Sequence, residues 1–178
     1  MMDKVILAGF GGQGVMFLGK VLAYAGMGSD LDLCWIPSYG PEMRGGTANC
    51  SVILSDEEIH SPVIDFADAA LVLNKPAYDK FALRIKPGGV LVVNSSLAKL
   101  EDARDDIKII EIPATDIANE IGNTGIANMV CLGALLPNLT LIDLDKIKKA
   151  MDKLTSKKPE LLEINLTAIH KGIEYING

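Results

Sequence analysis

The feature that most constrains this chain is a glycine turn set between an apolar strand and an apolar helix, over residues 4–22. Val5, Ile6, Leu7 and Ala8 form a continuous apolar run, and Gly9-Phe10-Gly11-Gly12-Gln13-Gly14 follows. Val15, Met16, Leu18, Val21, Leu22 and Ala25 then recur around nearly the whole circumference of a helix, so that helix is expected to be covered on most sides. Gly9, Gly11 and Gly14 satisfy G-x-G-x-x-G. Glycines permit the tight bend, and the helix start leaves N–H groups without carbonyl partners, which suits an anion. A dinucleotide site, another phosphate site and a purely structural turn all remain open.

A dinucleotide site makes a further demand: a carboxylate about 20 residues on, at the C-terminal end of the second strand, to hold a ribose. Asp30 and Asp32 have nearly that spacing, but the apolar run Leu33-Cys34-Trp35-Ile36 comes after them. They sit where the strand over residues 31–36 starts, and it ends at Pro37 with no acid. Next comes Ser38-Tyr39-Gly40-Pro41-Glu42-Met43-Arg44-Gly45-Gly46. Glycines beside an arginine let a loop's backbone approach another surface closely, so a functional loop is favoured over a surface loop with a local ion pair.

Residues 47–55 alternate small or polar with apolar side chains, which is strand periodicity. Residues 59–64 read as a short strand pairing with them across the turn Asp56-Glu57-Glu58, although Pro62 interrupts it. Such a hairpin has no place in an ordinary dinucleotide fold at this point. An α/β rhythm then resumes, with strands over 69–73, 89–94 and 107–112 and helices over 76–85, 114–121, 127–136, 143–154 and 159–175. The expected architecture is a single domain over residues 1–178: α/β, a Rossmann-like three-layer fold with a mostly parallel sheet and an inserted β-hairpin. In such a sheet Asn94 ends its strand at the same edge as the glycine turn, where ligands gather. Asn128 either caps the helix it begins, the favoured reading, or faces a partner.

Catalytic groups are scarce. His60 and His170 are far apart in sequence and read as surface histidines, and no G-x-S-x-G elbow is present. Cys34, Cys50 and Cys131 lack the close pairs that zinc or iron–sulfur sites need, and a reducing cytoplasm suits unpaired thiols. A net charge of -6 argues against nucleic-acid phosphates, and the lysines between Lys146 and Lys158 are interleaved with acids. The sequence starts without a signal-peptide pattern, and no apolar run reaches bilayer length. An anion turn with no catalytic group beside it suggests a chain that completes another subunit's active site.

Four stretches together carry a resemblance: Gly9-Phe10-Gly11-Gly12-Gln13-Gly14-Val15, the loop from Ser38 to Gly46, Ser61-Pro62, and Gly125-Ile126-Ala127-Asn128-Met129 with Leu132-Gly133-Ala134. The chain is similar over nearly its whole length to the gamma subunits of the 2-oxoacid:ferredoxin oxidoreductases. The resemblance implies a hetero-oligomer that decarboxylates a 2-oxoacid on thiamine diphosphate, reduces ferredoxin through 4Fe-4S clusters and releases an acyl-CoA. No cofactor is expected on this chain. Thiamine diphosphate and its Mg²⁺ are expected on alpha and beta partners, and clusters on the beta and a ferredoxin-like delta partner. The resemblance also implies a coenzyme A phosphate site at Gly9, Gly11, Gly12, Gln13, Gly14 and Arg44. Tyr39, Gly40, Pro41, Glu42, Met43, Gly45, Gly46 and Asn128 are the partner-facing candidates. Met43 and the Thr-Ala-Asn-Cys continuation after Gly46 resemble 2-oxoglutarate enzymes first, with branched-chain 2-oxoacid and pyruvate enzymes next. A stand-alone NAD(P)-dependent oxidoreductase, with Asp32 at the ribose, and a purely architectural subunit are the alternatives.

Overall fold

The computed structural model describes residues 1–41 and 45–178. Six strands form one sheet: β1 (Met2–Phe10), β2 (Asp32–Tyr39), β3 (Thr47–Ser55), β4 (Ala67–Val72), β5 (Ile85–Asn94) and β6 (Lys108–Ile112), in the order β2-β3-β1-β4-β5-β6. The pairs β1–β4, β4–β5 and β5–β6 are parallel, whereas β3 is antiparallel to both β1 and β2. β2 therefore points the same way as β1 with β3 between them. The fold is the expected α/β one, with a mostly parallel sheet.

The central strands are continuous apolar runs because both sheet faces are covered. Val5 and Leu7 of β1 and Ala69 and Leu71 of β4 face one core, while Ile6, Ala8, Ala70 and Val72 face the other. The first core is closed by α1 (Val15–Met27), α3 (Ala114–Ile121), α4 (Ala127–Leu135), α5 (Leu144–Leu154) and α6 (Pro159–Asn177). The second lies under α2 (Lys75–Phe81) and the 3-10 turn Ala82–Arg84. Gly19 lets α1 press onto the hairpin, since a Cβ there would lie 2.5 Å from Trp35 Nε1 and 2.7 Å from Cys50 Sγ.

The hairpin is not where periodicity placed it. β3 pairs with β2 before it, in the register Cys34↔Ile53 and Ile36↔Ser51, and the residues from 59 to 64 form no strand. Both edges of β3 are already occupied, by β1 and β2, so no ladder position remains for the later segment. That segment is tied down by a side chain instead: Asp32 Oδ2 accepts from Ile59 N at 2.7 Å. The helix expected over 76–85 is also shorter, ending at Phe81 before the 3-10 turn. Lys86, Pro87, Gly88 and Gly89 bulge out of the β4–β5 ladder, so β5 starts earlier than expected.

α4 and α6 cross at two glycines. A methyl group on Gly133 would collide with the carbonyl of Ile169, and one on Gly172 with the carbonyl of Val130. Backbone cannot yield there as a side-chain tip can, so overpacking is costly. Gly172→Ala is expected to lower the thermal midpoint by about 5 °C or more, on the basis of roughly 2 kcal/mol of overpacking. The exposed neighbour Lys171→Ala should move it by about 1 °C at most. Circular-dichroism melting curves of both variants check this.

Candidate functional site

Because β1, β2, β4, β5 and β6 run the same way, their C-terminal ends share one edge of the sheet, and the glycine turn lies there. Gly12 and Gly14 have φ of 95° and 80°, the left-handed region. Gln13 folds back beneath the turn, where its Oε1 accepts from Phe10 N at 2.7 Å and from Asn74 Nδ2 at 2.9 Å. Gln13 N donates to Phe10 O at 3.1 Å, and Gly11 N donates to Gly46 O at 2.8 Å. This last bond fastens the loop after β2 onto the turn. A Cβ on Gly9 would lie 2.7 Å from Gln13 Oε1, so a larger residue there would push the Gln13 side chain out of place.

The donors of Phe10, Gly11 and Gln13 are thus consumed by the protein. Those of Gly12, Gly14, Val15, Met16 and Phe17 meet no acceptor among the described residues. This is the open first turn of α1, with its partial positive charge. Two clefts flank it. One, of about 310 Å³, runs between the start of α1 and Tyr39. The other, of about 250 Å³, lies on the α4 side against Gln13, Asn94, Thr115 and Asn128. Neither lining includes a charged side chain among the described residues. The site can therefore bind an anion through N–H dipoles, while the described residues that line it supply no carboxylate, imidazole or thiol.

Tyr39 ends β2 at 56% exposure, beside the turn. Gly40 N donates to Thr47 O at 2.7 Å, closing the base of the loop, and Gly45 has φ of 72°. Pro41 and Gly45 are exposed. Glu42, Met43 and Arg44 lie outside the described residues. Asn128 is 4% exposed and packs against Gly14, donating to its carbonyl at 3.2 Å. It does not cap α4, whose N-cap is Ile126. Asn74 was not singled out from sequence, although Asn followed by Lys-Pro is a helix-start signature: it caps α2 through Ala77 N at 2.9 Å.

The acid that a dinucleotide site needs is at the wrong edge. Asp30 and Asp32 precede or begin β2, opposite the glycine turn, and Asp32 is engaged with Ile59 N. His60 and His170 are exposed. Among the described residues, no three His, Cys, Asp or Glu side chains come together as a metal site would need. Among the described residues, no helix is long and apolar enough to cross a membrane. Cys50 lies behind α1, with Sγ 3.7 Å from Val15 O, and burial pushes its pKa up to about 11; Cys131 is buried and raised as well.

Fold and site together define a doubly wound α/β domain with a glycine turn at the C-terminal edge of its sheet. The chain belongs to the pyruvate ferredoxin/flavodoxin oxidoreductase family, whose model matches residues 4–175. It is 35% identical over 173 residues to the ketoisovalerate oxidoreductase subunit VorA of Methanothermobacter thermautotrophicus, covering 97% of this chain but 36% of that protein. The chain thus spans about a third of the length of that relative. It is 36% identical over 177 residues to the 2-oxoglutarate synthase subunit KorC of Methanocaldococcus jannaschii, covering 98% of this chain and 94% of that one. Among solved structures, the 2-oxoglutarate:ferredoxin oxidoreductase of Magnetococcus marinus, with 2-oxoglutarate, coenzyme A and succinyl-CoA bound, superposes with a TM-score of 0.87. The identity is 27%, and the match covers 97% of this chain and 30% of that chain.

Gly14 faces two obstacles to substitution, its left-handed backbone and the Asn128 amide lying against it. Gly14→Ala is expected to cost about 2–4 kcal/mol in urea unfolding, with about 1–2 kcal/mol of that from the backbone alone. Adding Asn128→Gly should recover only the steric part. The thiols give a chemical check on the burial behind α1. At pH 8 iodoacetamide should label Cys34, which is half-buried, while Cys50, with about one thiolate in a thousand, and Cys131 stay unlabelled by mass spectrometry until the chain unfolds.

Proposed function

We propose that this chain acts as the gamma-type subunit of a 2-oxoacid:ferredoxin oxidoreductase, holding the phosphate end of coenzyme A at the glycine turn. The observation that carries the reading is the open first turn of α1: unpaired N–H groups between two clefts, with no charged group lining either among the described residues. A helix start of this kind suits a phosphate or pyrophosphate. The coenzyme A-bound relative supports that choice of anion. Arg44, on the loop fastened to the turn by Gly46, supplies the cation for the phosphate, and Tyr39, Gly40, Pro41, Glu42, Met43, Gly45 and Gly46 meet a partner subunit.

Oxidative decarboxylation then takes place on the partners: alpha and beta subunits bring thiamine diphosphate and Mg²⁺, and 4Fe-4S clusters of the beta and delta subunits carry electrons to ferredoxin. This chain orients the acyl acceptor. The substrate we favour is 2-oxoglutarate, as in the relative matched over most of its length. A branched-chain 2-oxoacid is the second reading, because the ketoisovalerate relative is nearly as similar. An architectural role also has one observation in its favour: Phe10 and Gly11 already spend their N–H groups on the protein itself.

The isolated chain is expected to oxidise no 2-oxoacid, and activity should appear when the thiamine-binding partners are added. Robust activity from the chain alone would overturn the subunit reading. In the assembled complex, Arg44→Ala should raise the KM for coenzyme A about tenfold, with little change in kcat. An unchanged KM with weaker assembly in gel filtration favours the architectural role instead.

A further inference from the structure

The cleft on the α4 side of the turn is backed by asparagines whose carboxamides are set by the backbone. Asn74, Asn94 and Asn128 are 3%, 1% and 4% exposed. Only an amide oxygen can meet a backbone N–H, so each orientation follows from its partner. Asn74 Oδ1 accepts from Ala77 N at 2.9 Å, Asn94 Oδ1 from Ala114 N at 3.1 Å, and Asn128 Oδ1 from Met129 N at 2.9 Å. Each then gives its Nδ2 to a second partner: Gln13 Oε1 at 2.9 Å and Thr115 Oγ1 at 2.9 Å, both on residues that line the cleft, and Gly14 O at 3.2 Å.

These bonds decide what the cleft presents. Gln13 Oε1 takes two donors, Phe10 N and Asn74 Nδ2, which leaves Nε2 as the free end of the amide. Among the described residues Nε2 has no acceptor, and it is not one of the buried atoms lacking one, so it is an exposed donor on a residue that lines the cleft. Thr115 Oγ1 accepts from Asn94, so its own proton remains to be donated. With the N–H of Gly12, the described residues give the cleft donors and no charged side chain.

We infer that Asn74 is a positioning residue: it locks the Gln13 carboxamide so that Nε2 donates to an acceptor oxygen of the bound coenzyme. The inference rests on the coenzyme A reading above. Asn74 acts through Gln13 and needs no contact with the ligand. The substitution Asn74→Asp separates its two duties. An aspartate still caps α2 by accepting from Ala77 N, but it cannot donate to Gln13 Oε1. The carboxylate repels Gln13 Oε1 and attracts Nε2, so the Gln13 amide turns over, giving up its bond from Phe10 N, and its oxygen faces the ligand.

The test is steady-state kinetics on the assembled complex. Asn74→Asp is expected to raise the KM for coenzyme A about tenfold, while kcat and the KM for the 2-oxoacid stay within about twofold. Gln13→Glu, which puts an oxygen where Nε2 stands, should raise the same KM at least as much. In a Gln13→Met background, which has no amide to orient, Asn74→Asp should add less than about twofold. A tenfold effect that persists in that background would mean simple charge repulsion and would overturn the proposal. If Arg44→Ala raises the KM for coenzyme A but Asn74→Asp and Gln13→Glu do not, the relay is wrong and the coenzyme reading stands. If none of the three raises it, the coenzyme reading fails and the relay with it.

Discussion

The structure depends on β3 being hydrogen-bonded along both edges, to β1 on one side and to β2 on the other. A strand inserted antiparallel between two strands that run together must enter from the edge where they end. Its connection from β2 therefore turns at the C-terminal edge of the sheet, next to the glycine turn. The Gly11 N to Gly46 O bond is the local consequence. In a dinucleotide fold of the usual strand order, a parallel strand occupies the place of β3 and brings its acid to this edge. Here the same place brings a loop.

That substitution changes what the turn can do. The carboxylates near the second strand are left at the far edge, and Asp32 is used to pin residue 59 rather than a ribose. At the near edge the protein meets part of the turn's own hydrogen-bonding demand through Gln13 and Gly46. The start of α1 stays open, between clefts with apolar walls and uncharged donors. An anion held only by dipoles is held weakly in water. This geometry leaves the described residues that line the clefts at the turn with N–H donors and no carboxylate, imidazole or thiol.

Packing elsewhere serves that edge. The α4–α6 glycine crossing draws α4 into the sheet-facing layer, and with it Asn128, which seats against Gly14. Asn94 ties the end of β5 to the start of α3, so the cleft wall is continuous from Gln13 to Thr115. Most of these polar contacts join residues far apart in the chain, and the asparagines making them are almost fully buried. Unpaired, each would cost about 1–3 kcal/mol, and each of the three has a partner for its oxygen and for its nitrogen.

The amino-acid sequence by itself determined the elements that announce themselves locally: the strand–turn–helix at the N-terminus, the helix-start and glycine signals, and the continuous apolar strands of a sheet covered on both faces. Periodicity and backbone sterics act over a few residues, so they are legible there. Which strand pairs with β3 was not, because residues 32–39 and 59–64 carry similar apolar content. The choice is made by which ladder edges are free once β1 has taken one side. The Gln13–Asn74 and Gly14–Asn128 contacts were likewise hidden, being 61 and 114 residues apart in sequence. Only tertiary structure could decide them, since an amide's orientation depends on every donor brought within reach of it.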